Sequence, residues 1–317
     1  MQKTLLGRTD LMVSRLCLGT MQFGWTASEA ASFATMDAFV EAGGNFIDSA
    51  DIYSRWAKGN WGGDAERIIG RWLKERANRE DLVIGTKGRG PMWKGPDGEG
   101  LSRSHIIRAC ESSLKRMGIE TIDLYQFHWF DDAVPIEESL GAVEELVTAG
   151  KVRYLGVSNY PADRFTALCD AAEAMGLPIV TLQPHHNLVY RAEYEAELRA
   201  ICIARDIAVI PYSPLAKGFL TGKYVKGGPK VTSSRASGVK EYQTDRGWAT
   251  IDTVRDIAAA HSSTCTAVSL AWQLAQPGIA ASITGANNAD QLLDQLPAMD
   301  LELTREDITR LNAVSAP

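Results

Sequence analysis

The chain has no apolar run long enough to cross a membrane and no excess of basic residues. A membrane-spanning helix needs about 20 consecutive apolar residues, and the 317-residue sequence contains no such run. The formal net charge is −6, with both signs interspersed, so the basic stripe typical of nucleic-acid-binding proteins is missing. The first residues also lack the apolar core of a signal peptide. We therefore expect a cytoplasmic protein that binds neither nucleic acid nor membrane.

Cysteine is scarce and scattered. There are five cysteines, with no CxxC pair and no histidine at ligand spacing, which disfavours a zinc site or a disulfide framework. The neighbouring His185 and His186 do not suggest a metal site either, because adjacent side chains on an extended chain point apart. We expect reduced, mostly structural thiols and no metal. The cysteines are Cys17, Cys110, Cys169, Cys202 and Cys265.

The glycine-rich phosphate-binding motifs are also absent. A Rossmann fold would need GxGxxG after the first strand and opening a helix, which the stretch from Gly19 to Gly24 does not supply. No P-loop occurs either. These absences disfavour an open, doubly wound nucleotide-binding sheet.

Eight short apolar runs are each followed by a helical pattern. The runs read as continuously buried, as parallel strands covered on both faces do. This alternation predicts a (β/α)₈ TIM barrel, and no linker divides residues 1–317, so we expect one domain with a short N-terminal β-hairpin at 5–15. The predicted strands are 16–20, 46–48, 82–87, 122–128, 152–158, 179–183, 208–212 and 281–285. The predicted helices are 28–43, 64–76, 102–116, 136–149, 162–175, 193–205, 250–260, 266–275, 288–296 and 304–314.

Titratable side chains end three neighbouring strands. Asp48, Lys87 and His128 close the second, third and fourth predicted strands, and Tyr53 follows in the first of these loops. Taken one at a time, each has an ordinary structural explanation. Asp48 would be an acidic residue in a turn, Lys87 a solvent-exposed lysine, His128 a histidine of the core and Tyr53 an aromatic residue packed in a loop. Barrel enzymes, however, gather their chemistry at the C-terminal ends of strands, and here all four residues coincide at one rim.

The four residue types together suit reduction of a carbonyl group. A phenol keeps its proton at neutral pH, and a nearby ammonium stabilises the phenolate and makes the proton easier to donate. We expect Lys87 to do this for Tyr53, Asp48 to hold Lys87 charged, and His128 to hydrogen-bond the substrate oxygen. Such a site stabilises an oxygen that gains negative charge and then a proton.

Five segments carry a resemblance to the aldo-keto reductase family, and it extends over essentially the whole chain. The segments are Phe46-Ile47-Asp48-Ser49-Ala50 with Tyr53, Gly85-Thr86-Lys87-Gly88, Asp123-Leu124-Tyr125-Gln126-Phe127-His128, Gly156-Val157-Ser158-Asn159 and Pro211-Tyr212-Ser213-Pro214-Leu215. The resemblance implies a (β/α)₈ barrel, no metal, and a catalytic tetrad of Asp48, Tyr53, Lys87 and His128 with Tyr53 as general acid.

The resemblance also implies a nicotinamide cofactor. NADP(H) is favoured by family habit, while the stretch 285–291 offers amides rather than the cation many members place there, so NAD(H) or dual use stays open. Ser158, Asn159 and Gln183 match the residues that bind the carboxamide, and Tyr212 matches the aromatic that stacks on the nicotinamide. The other implied cofactor residues are Gly19, Thr20, Met21, Asp48, Ser213, Leu215, Lys217, Gly218, Gly285, Ala286, Asn287, Gln291 and Gln295.

The substrate is expected to be a small carbonyl compound or alcohol. Aromatic residues in the rim loops suggest a pocket for an aromatic or sugar-ring carbonyl; they are Trp25, Trp56, Trp93 and Trp129, beside Tyr53 and His128. Two other functions remain open. One is a non-catalytic subunit that senses nicotinamide through the same fold. The other is a lyase using Lys87 as a Schiff base, which an adjacent Asp48 opposes by keeping the amine protonated.

Overall fold

Strands and helices alternate along the whole chain, which the computed structural model describes from residue 1 to residue 317. The strands are β1 (Lys3–Leu5), β2 (Met12–Ser14), β3 (Leu16–Gly19), β4 (Phe46–Asp48), β5 (Val83–Gly88), β6 (Ile122–Phe127), β7 (Val152–Ser158), β8 (Ile179–Gln183), β9 (Ala208–Val209) and β10 (Ser282–Gly285). The α-helices are α1 (Glu29–Glu41), α2 (Asp64–Arg76), α3 (Arg103–Met117), α4 (Ile136–Thr148), α5 (Ala162–Ala174), α6 (Arg199–Ala204), α7 (Asp245–Ala260), α8 (Cys265–Leu274), α9 (Ala289–Leu293) and α10 (Arg305–Val314).

The eight strands from β3 to β10 form one parallel sheet that closes on itself. Each strand from β3 to β8 pairs with the next in chain order, and β10 pairs with β3. Isolated parallel bridges join Val209 to Ile279 and Tyr212 to Ile283. The chain around β9 therefore also contacts the chain around β10, which closes the barrel. The predicted (β/α)₈ barrel is confirmed.

The N-terminal hairpin plugs one end of the barrel. Leu6, Leu11 and Val13 belong to the same buried cluster as barrel residues such as Phe46 and Leu124. Gly7 sits at a φ of +55°, and a Cβ there would lie 3.1 Å from the Val180 carbonyl oxygen. Glycine is therefore required where the hairpin turns beneath the strands. The opposite end, where the strands terminate, stays free for a site.

A larger apolar cluster of 50 buried residues fills the space between the strands and the outer helices. The chain between β9 and β10 adds a second cluster, in which Phe219, Val239 and Tyr242 pack against α7 and α8. This packing holds the glycine- and lysine-rich segment from 217 to 238 over the rim of the barrel. All five cysteines are free thiols, four of them buried. None of the helices combines the length and apolar character that crossing a membrane requires.

The predicted bounds differ from the structure in a few places. The sequence predicts a seventh barrel strand that runs to residue 212, but the regular strand ends at Val209. The Ile210 amide still donates to the Leu182 carbonyl and the Tyr212 amide to the Pro184 carbonyl, while Pro184 has no N–H with which to return a hydrogen bond. The helix predicted at 193–205 is a π-helical turn (Tyr194–Leu198) followed by α6. The helix predicted at 288–296 is the shorter α9, followed by a 3₁₀ turn (Leu296–Met299) that contains Pro297.

Candidate active site

The four residues of the predicted tetrad meet at the C-terminal rim of the barrel. Asp48 is the last residue of β4, Lys87 the next-to-last residue of β5, and His128 directly follows β6. Tyr53 comes from the turn after β4, which is tied to the neighbouring strand by the Asp51 amide donating to the Lys87 carbonyl at 2.9 Å. Neighbouring strand ends thus hold the titratable groups side by side.

Lys87 joins the acid to the phenol. Its ammonium nitrogen, fully buried, donates to the Asp48 carboxylate at 2.5 Å, to the Ser49 carbonyl at 2.7 Å and to the Tyr53 phenol oxygen at 3.2 Å. Three donated hydrogen bonds use all three ammonium protons. The lysine is therefore fixed with one proton directed at Tyr53.

Two glutamines complete the environment of Asp48. The carboxylate oxygen that does not bind Lys87 accepts from the Gln126 amide at 2.9 Å and from the Gln183 amide at 3.1 Å. Gln183 also donates to the Gln126 side-chain oxygen at 3.0 Å. Sequence reasoning assigned Gln183 to the cofactor and gave Gln126 no role. The signal was present, since Gln126 and His128 are two residues apart and share one face of a strand.

The protein environment shifts the pKa values of the lysine and the tyrosine. Burial alone would lower the pKa of Lys87, but the Asp48 carboxylate and the Tyr53 oxygen more than offset it and raise the pKa overall. Burial raises the pKa of Tyr53, and the Lys87 ammonium offsets part of that rise. Lys87 is therefore a cation and Tyr53 a protonated phenol at neutral pH.

His128 is an electrically neutral imidazole. Burial, together with the positive charges of Lys87 and Arg89, moves its pKa well below the ordinary value. Its Nδ1 atom is buried without a hydrogen-bond partner, and its ring stacks on Trp129 at a centroid distance of 3.8 Å. A neutral imidazole has one N–H to donate, and here the protein fixes the ring plane without occupying Nδ1.

Three of the four predicted pocket tryptophans gather around Tyr53 and His128. Trp56 lies edge-on to Tyr53 at 6.4 Å and to Trp25 at 5.6 Å, between ring centroids, and is 48 % exposed. Trp129 stacks on His128, and the three tryptophan rings together border the mouth of the barrel. Trp93 lies elsewhere: it packs on α3 against His105 and under the Arg108 guanidinium, 4.1 Å from its ring centre. His105 is buried beneath it.

The residues predicted to hold nicotinamide lie beside the tetrad. The Asn159 amide donates to the His128 carbonyl and to the Ser158 hydroxyl, both at 3.0 Å, and its oxygen accepts from the Tyr212 phenol at 2.9 Å. The Tyr212 ring is backed by His185, nearly parallel at 5.1 Å. Asn159 has a φ of +56°, which asparagine tolerates better than most residues. Tyr212 is thus held rigidly by both its hydroxyl and its ring.

The turn after β9 gathers positive charge. Lys217 and Gly218 have φ values of +56° and +95°, and a Cβ on Gly218 would lie 3.0 Å from the Lys223 ammonium. Lys217 pairs with Glu241 at 2.6 Å. Arg235 reaches across to the Met21 sulfur at 3.6 Å, has no carboxylate partner, and its charge acts to lower the pKa of Tyr53. Sequence reasoning missed Arg235, which lies in a segment without periodicity.

At the predicted adenosine end, the side-chain amides largely satisfy one another. Gln295 is buried, accepts from the Thr284 hydroxyl and donates to the Gly285 carbonyl. Asn287 is held by the Gln291 side-chain oxygen. Gln22, which had no predicted role, places a buried, unpartnered amide oxygen here, and a Cβ on Gly285 would lie 2.4 Å from it.

The remaining predicted cofactor residues are mostly buried, or their polar groups already make hydrogen bonds within the protein. Gly19 and Thr20 are buried, and the Thr20 hydroxyl donates to the Asp48 carbonyl at 3.1 Å. The Ser213 carbonyl accepts from the Asn187 amide at 3.0 Å. Ala286 is buried beside them, while Leu215 is partly exposed. No group of three or more His, Cys, Asp or Glu side chains is arranged to hold a metal ion.

The model of the Aldo/keto reductase family matches residues 15–316. The chain belongs to the aldo/keto reductase family. Three relatives align with this aldo/keto reductase chain over nearly its full length. An uncharacterized oxidoreductase, YrpG, of Bacillus subtilis is 36 % identical over 99 % of this chain and 96 % of its own. A probable voltage-gated potassium channel subunit beta of rice is 31 % identical over 99 % and 96 %. An L-glyceraldehyde 3-phosphate reductase of Escherichia coli O157:H7 is 29 % identical over 98 % and 92 %.

The predicted family is therefore confirmed. The family match and the relatives support an oxidoreductase, while the relatives' names cover both reductases and channel subunits.

Proposed function

We propose that this aldo/keto reductase reduces an aldehyde or ketone to an alcohol, or runs the reverse reaction, with Tyr53 as proton donor. The observation that carries the proposal is the Lys87 ammonium, which contacts both the Asp48 carboxylate and the Tyr53 phenol at the mouth of the barrel. That arrangement is suited to one task, which is to lower the cost of moving a proton off a phenol.

Each residue has a separate role in the proposed reaction. A reduced nicotinamide, when bound, would supply a hydride to the carbonyl carbon. Tyr53 donates its proton to the carbonyl oxygen, and Lys87 stabilises the phenolate that remains. Asp48, held by Gln126 and Gln183, keeps Lys87 protonated and directed. Neutral His128 donates a hydrogen bond to the same oxygen as its negative charge develops.

Several side chains support a cofactor position on the β7–β9 side of the mouth. Asn159 and Ser158 offer polar groups at the strand ends, and the Tyr212 ring, backed by His185, offers a flat apolar surface for nicotinamide. The unpartnered Gln22 oxygen fits a donor group at the far end of the cleft. A buried polar atom without a partner is rare in proteins and fits a ligand-binding position.

Positive charge near the turn after β9 favours binding of the cofactor's diphosphate there. Lys217, Lys223 and Arg235 surround a backbone turn with left-handed residues, an arrangement that binds anions. NADP(H) remains the favoured cofactor by family habit. The stretch 285–291 presents amides instead of a cation, so NAD(H) use is part of the test.

Two rival functions make different demands on the same residues. A non-catalytic sensing subunit would bind nicotinamide without turnover, and the rice relative is by its name a channel subunit. A Schiff-base lyase would need neutral Lys87, but the ion pair with Asp48 raises the pKa of that amine, and a protonated amine is not a nucleophile.

The test combines binding and turnover. NADPH and NADH are titrated separately against tryptophan fluorescence, for which Trp25, Trp56 and Trp129 are reporters near the cleft. Oxidation of the bound reductant is then followed at 340 nm with aromatic and sugar-type aldehydes. Binding with aldehyde-dependent oxidation supports the reductase. Binding with no oxidation across the panel supports the sensing subunit, and trapping of a Lys87 adduct by borohydride supports the lyase.

A further inference from the structure

Arg89 stands directly beside the proposed catalytic histidine. Gly88 pairs with Phe127 in the parallel register of β5 and β6, and the His128 amide donates to the Gly88 carbonyl at 3.0 Å. Arg89 and His128 are therefore the next residues along these two strands. Both follow the strand ends at the rim that carries Lys87 and Tyr53.

The backbone of Arg89 is held in a conformation that side chains rarely adopt. Its φ is +133°, a region occupied almost only by glycine. The backbone on either side, at Gly88 and Gly90, is packed too closely against its neighbours for Arg89 to move to an ordinary conformation. A Cβ on Gly88 would lie 2.0 Å from the Tyr125 hydroxyl, and one on Gly90 would lie 2.8 Å from the Ile52 side chain. An arginine where glycine would fit without strain points to a function for the side chain.

The guanidinium of Arg89 lacks a close partner. Its Nε is buried and makes no hydrogen bond. The nearest carboxylate, Glu99, lies 3.9 Å away and is itself 59 % exposed, while the Arg89 side chain is 28 % exposed. By contrast, Arg79 and Arg116 reach carboxylates at 2.7 and 2.6 Å. Burying part of a cation whose N–H donors have no acceptor costs free energy, unless a ligand supplies the missing acceptors.

We propose that Arg89 binds an acidic group, carboxylate or phosphate, on the carbonyl substrate whose reacting oxygen lies between Tyr53 and His128. The proposal rests on the proposed function and names its substrate class. A guanidinium presents paired N–H groups that match two oxygens of such an anion. The cofactor's own phosphates are assigned to Lys217, Lys223 and Arg235, which follow β9 and lie across the barrel from β5. The tryptophan-lined mouth then accommodates the part of the substrate between the carbonyl and the acid.

Three matched aldehydes test this: benzaldehyde, 4-carboxybenzaldehyde and 4-formylphenyl phosphate. Each is assayed with the full-length wild type and with Arg89→Gln, Arg89→Lys and Arg89→Gly. We expect Arg89→Gln to lower kcat/KM at least tenfold for one or both acidic aldehydes, mainly through KM, and less than threefold for benzaldehyde. Arg89→Lys keeps the charge but not the paired N–H groups, so its activity on the acidic aldehydes should fall between those of the wild type and Arg89→Gln. A loss confined to the carboxylate or to the phosphate identifies which anion the site takes.

Two controls separate the possible failures. Glycine adopts the Arg89 backbone conformation without strain, so Arg89→Gly should fold with an unchanged or higher Tm while losing the same preference. Arg55→Gln removes an exposed charge from the rim loop and should leave all three activities unchanged. Equal losses on neutral and acidic aldehydes, or the same pattern in Arg55→Gln, would overturn the role of Arg89 alone. No reduction of any aldehyde by the wild type would overturn the proposed function itself.

Discussion

The ammonium nitrogen of Lys87 lies 3.2 Å from the phenol oxygen of Tyr53. The same nitrogen contacts the fully buried Asp48 carboxylate at 2.5 Å. Neither charge is in contact with water, so each depends on the other. The pair that prepares Tyr53 to give up a proton is therefore also a structural element of the barrel.

Breaking the pair from one side should destabilise the protein more than removing it altogether. Lys87→Met leaves the Asp48 carboxylate buried without its cation, which typically costs about 3–5 kcal/mol. The double variant Asp48→Asn with Lys87→Met leaves no uncompensated charge and should recover a large part of the loss. Urea unfolding of the two single variants and the double variant measures this. A double variant as unstable as the sum of the single variants would show that the two charges do not compensate each other.

The rate of reduction should show no histidine titration near neutrality. Burial and the charges of Lys87 and Arg89 lower the pKa of His128 well below 6.5, so the imidazole is already neutral at pH 6. A plot of kcat/KM against pH should therefore be flat between pH 6 and 8. An inflection near pH 6.5 that disappears in His128→Asn would contradict the neutral assignment.

Asp51 should make the fold less stable as the pH rises. Its carboxyl is fully buried, neither oxygen has a partner, and burial with the nearby Glu66 carboxylate raises its pKa well above the ordinary value, despite Arg116 and Lys87. A carboxyl with a higher pKa in the folded chain stabilises the fold below its unfolded pKa of about 3.9, and that contribution is lost as the pH rises toward the folded pKa.

Asp51→Asn should therefore match the wild type near pH 4 and exceed it in stability at pH 8. At pH 8 the gain is about 1.4 kcal/mol for each pH unit between the unfolded pKa and either the folded pKa or pH 8, whichever is lower. Chemical denaturation at both pH values measures it, with the exposed Asp97→Asn as control. A variant that gains nothing between pH 4 and pH 8 would mean that Asp51 is ionised in the native protein.

Arg235 should contribute to cofactor binding. Its guanidinium lies near Met21 and Tyr53 without a carboxylate partner, so a cofactor diphosphate would complete it. Arg235→Gln should raise the Kd for NADPH about tenfold, the equivalent of about 1.4 kcal/mol. Fluorescence titration measures this, and Lys230→Gln, an exposed cation of the same segment, should change little. Equal effects of both variants on the Kd would mean that Arg235 acts only through the overall positive charge of the segment, without contacting the cofactor.

Most of the barrel and the position of the tetrad could be predicted because both follow local patterns. Eight buried apolar runs specify the strands, and Asp48, Lys87 and His128 each end one of them. Tyr53 follows in the adjacent turn. Strand ends of a parallel barrel meet at one rim whatever the helices do. The order of residues along the chain was therefore enough to bring these groups together.

Residues placed by tertiary packing could not be predicted in the same way. Arg235 reaches the mouth only because Val239 and Tyr242 pack against Phe219 in the second apolar cluster. Trp93 is drawn away from the mouth by its contact with Arg108. Gln295 exchanges hydrogen bonds with the Thr284 hydroxyl and the Gly285 carbonyl. None of these pairings has a spacing that the sequence reveals.

The central claim is that Tyr53 gives its proton to the carbonyl oxygen. Tyr53→Phe removes only the hydroxyl, and general acids typically contribute about 10²–10⁴-fold to the rate. We predict that aldehyde-dependent NADPH oxidation by Tyr53→Phe falls by at least a hundredfold, while NADPH binding by fluorescence stays within threefold of the wild type. Turnover within tenfold of the wild type would contradict the assignment of Tyr53 as the proton donor.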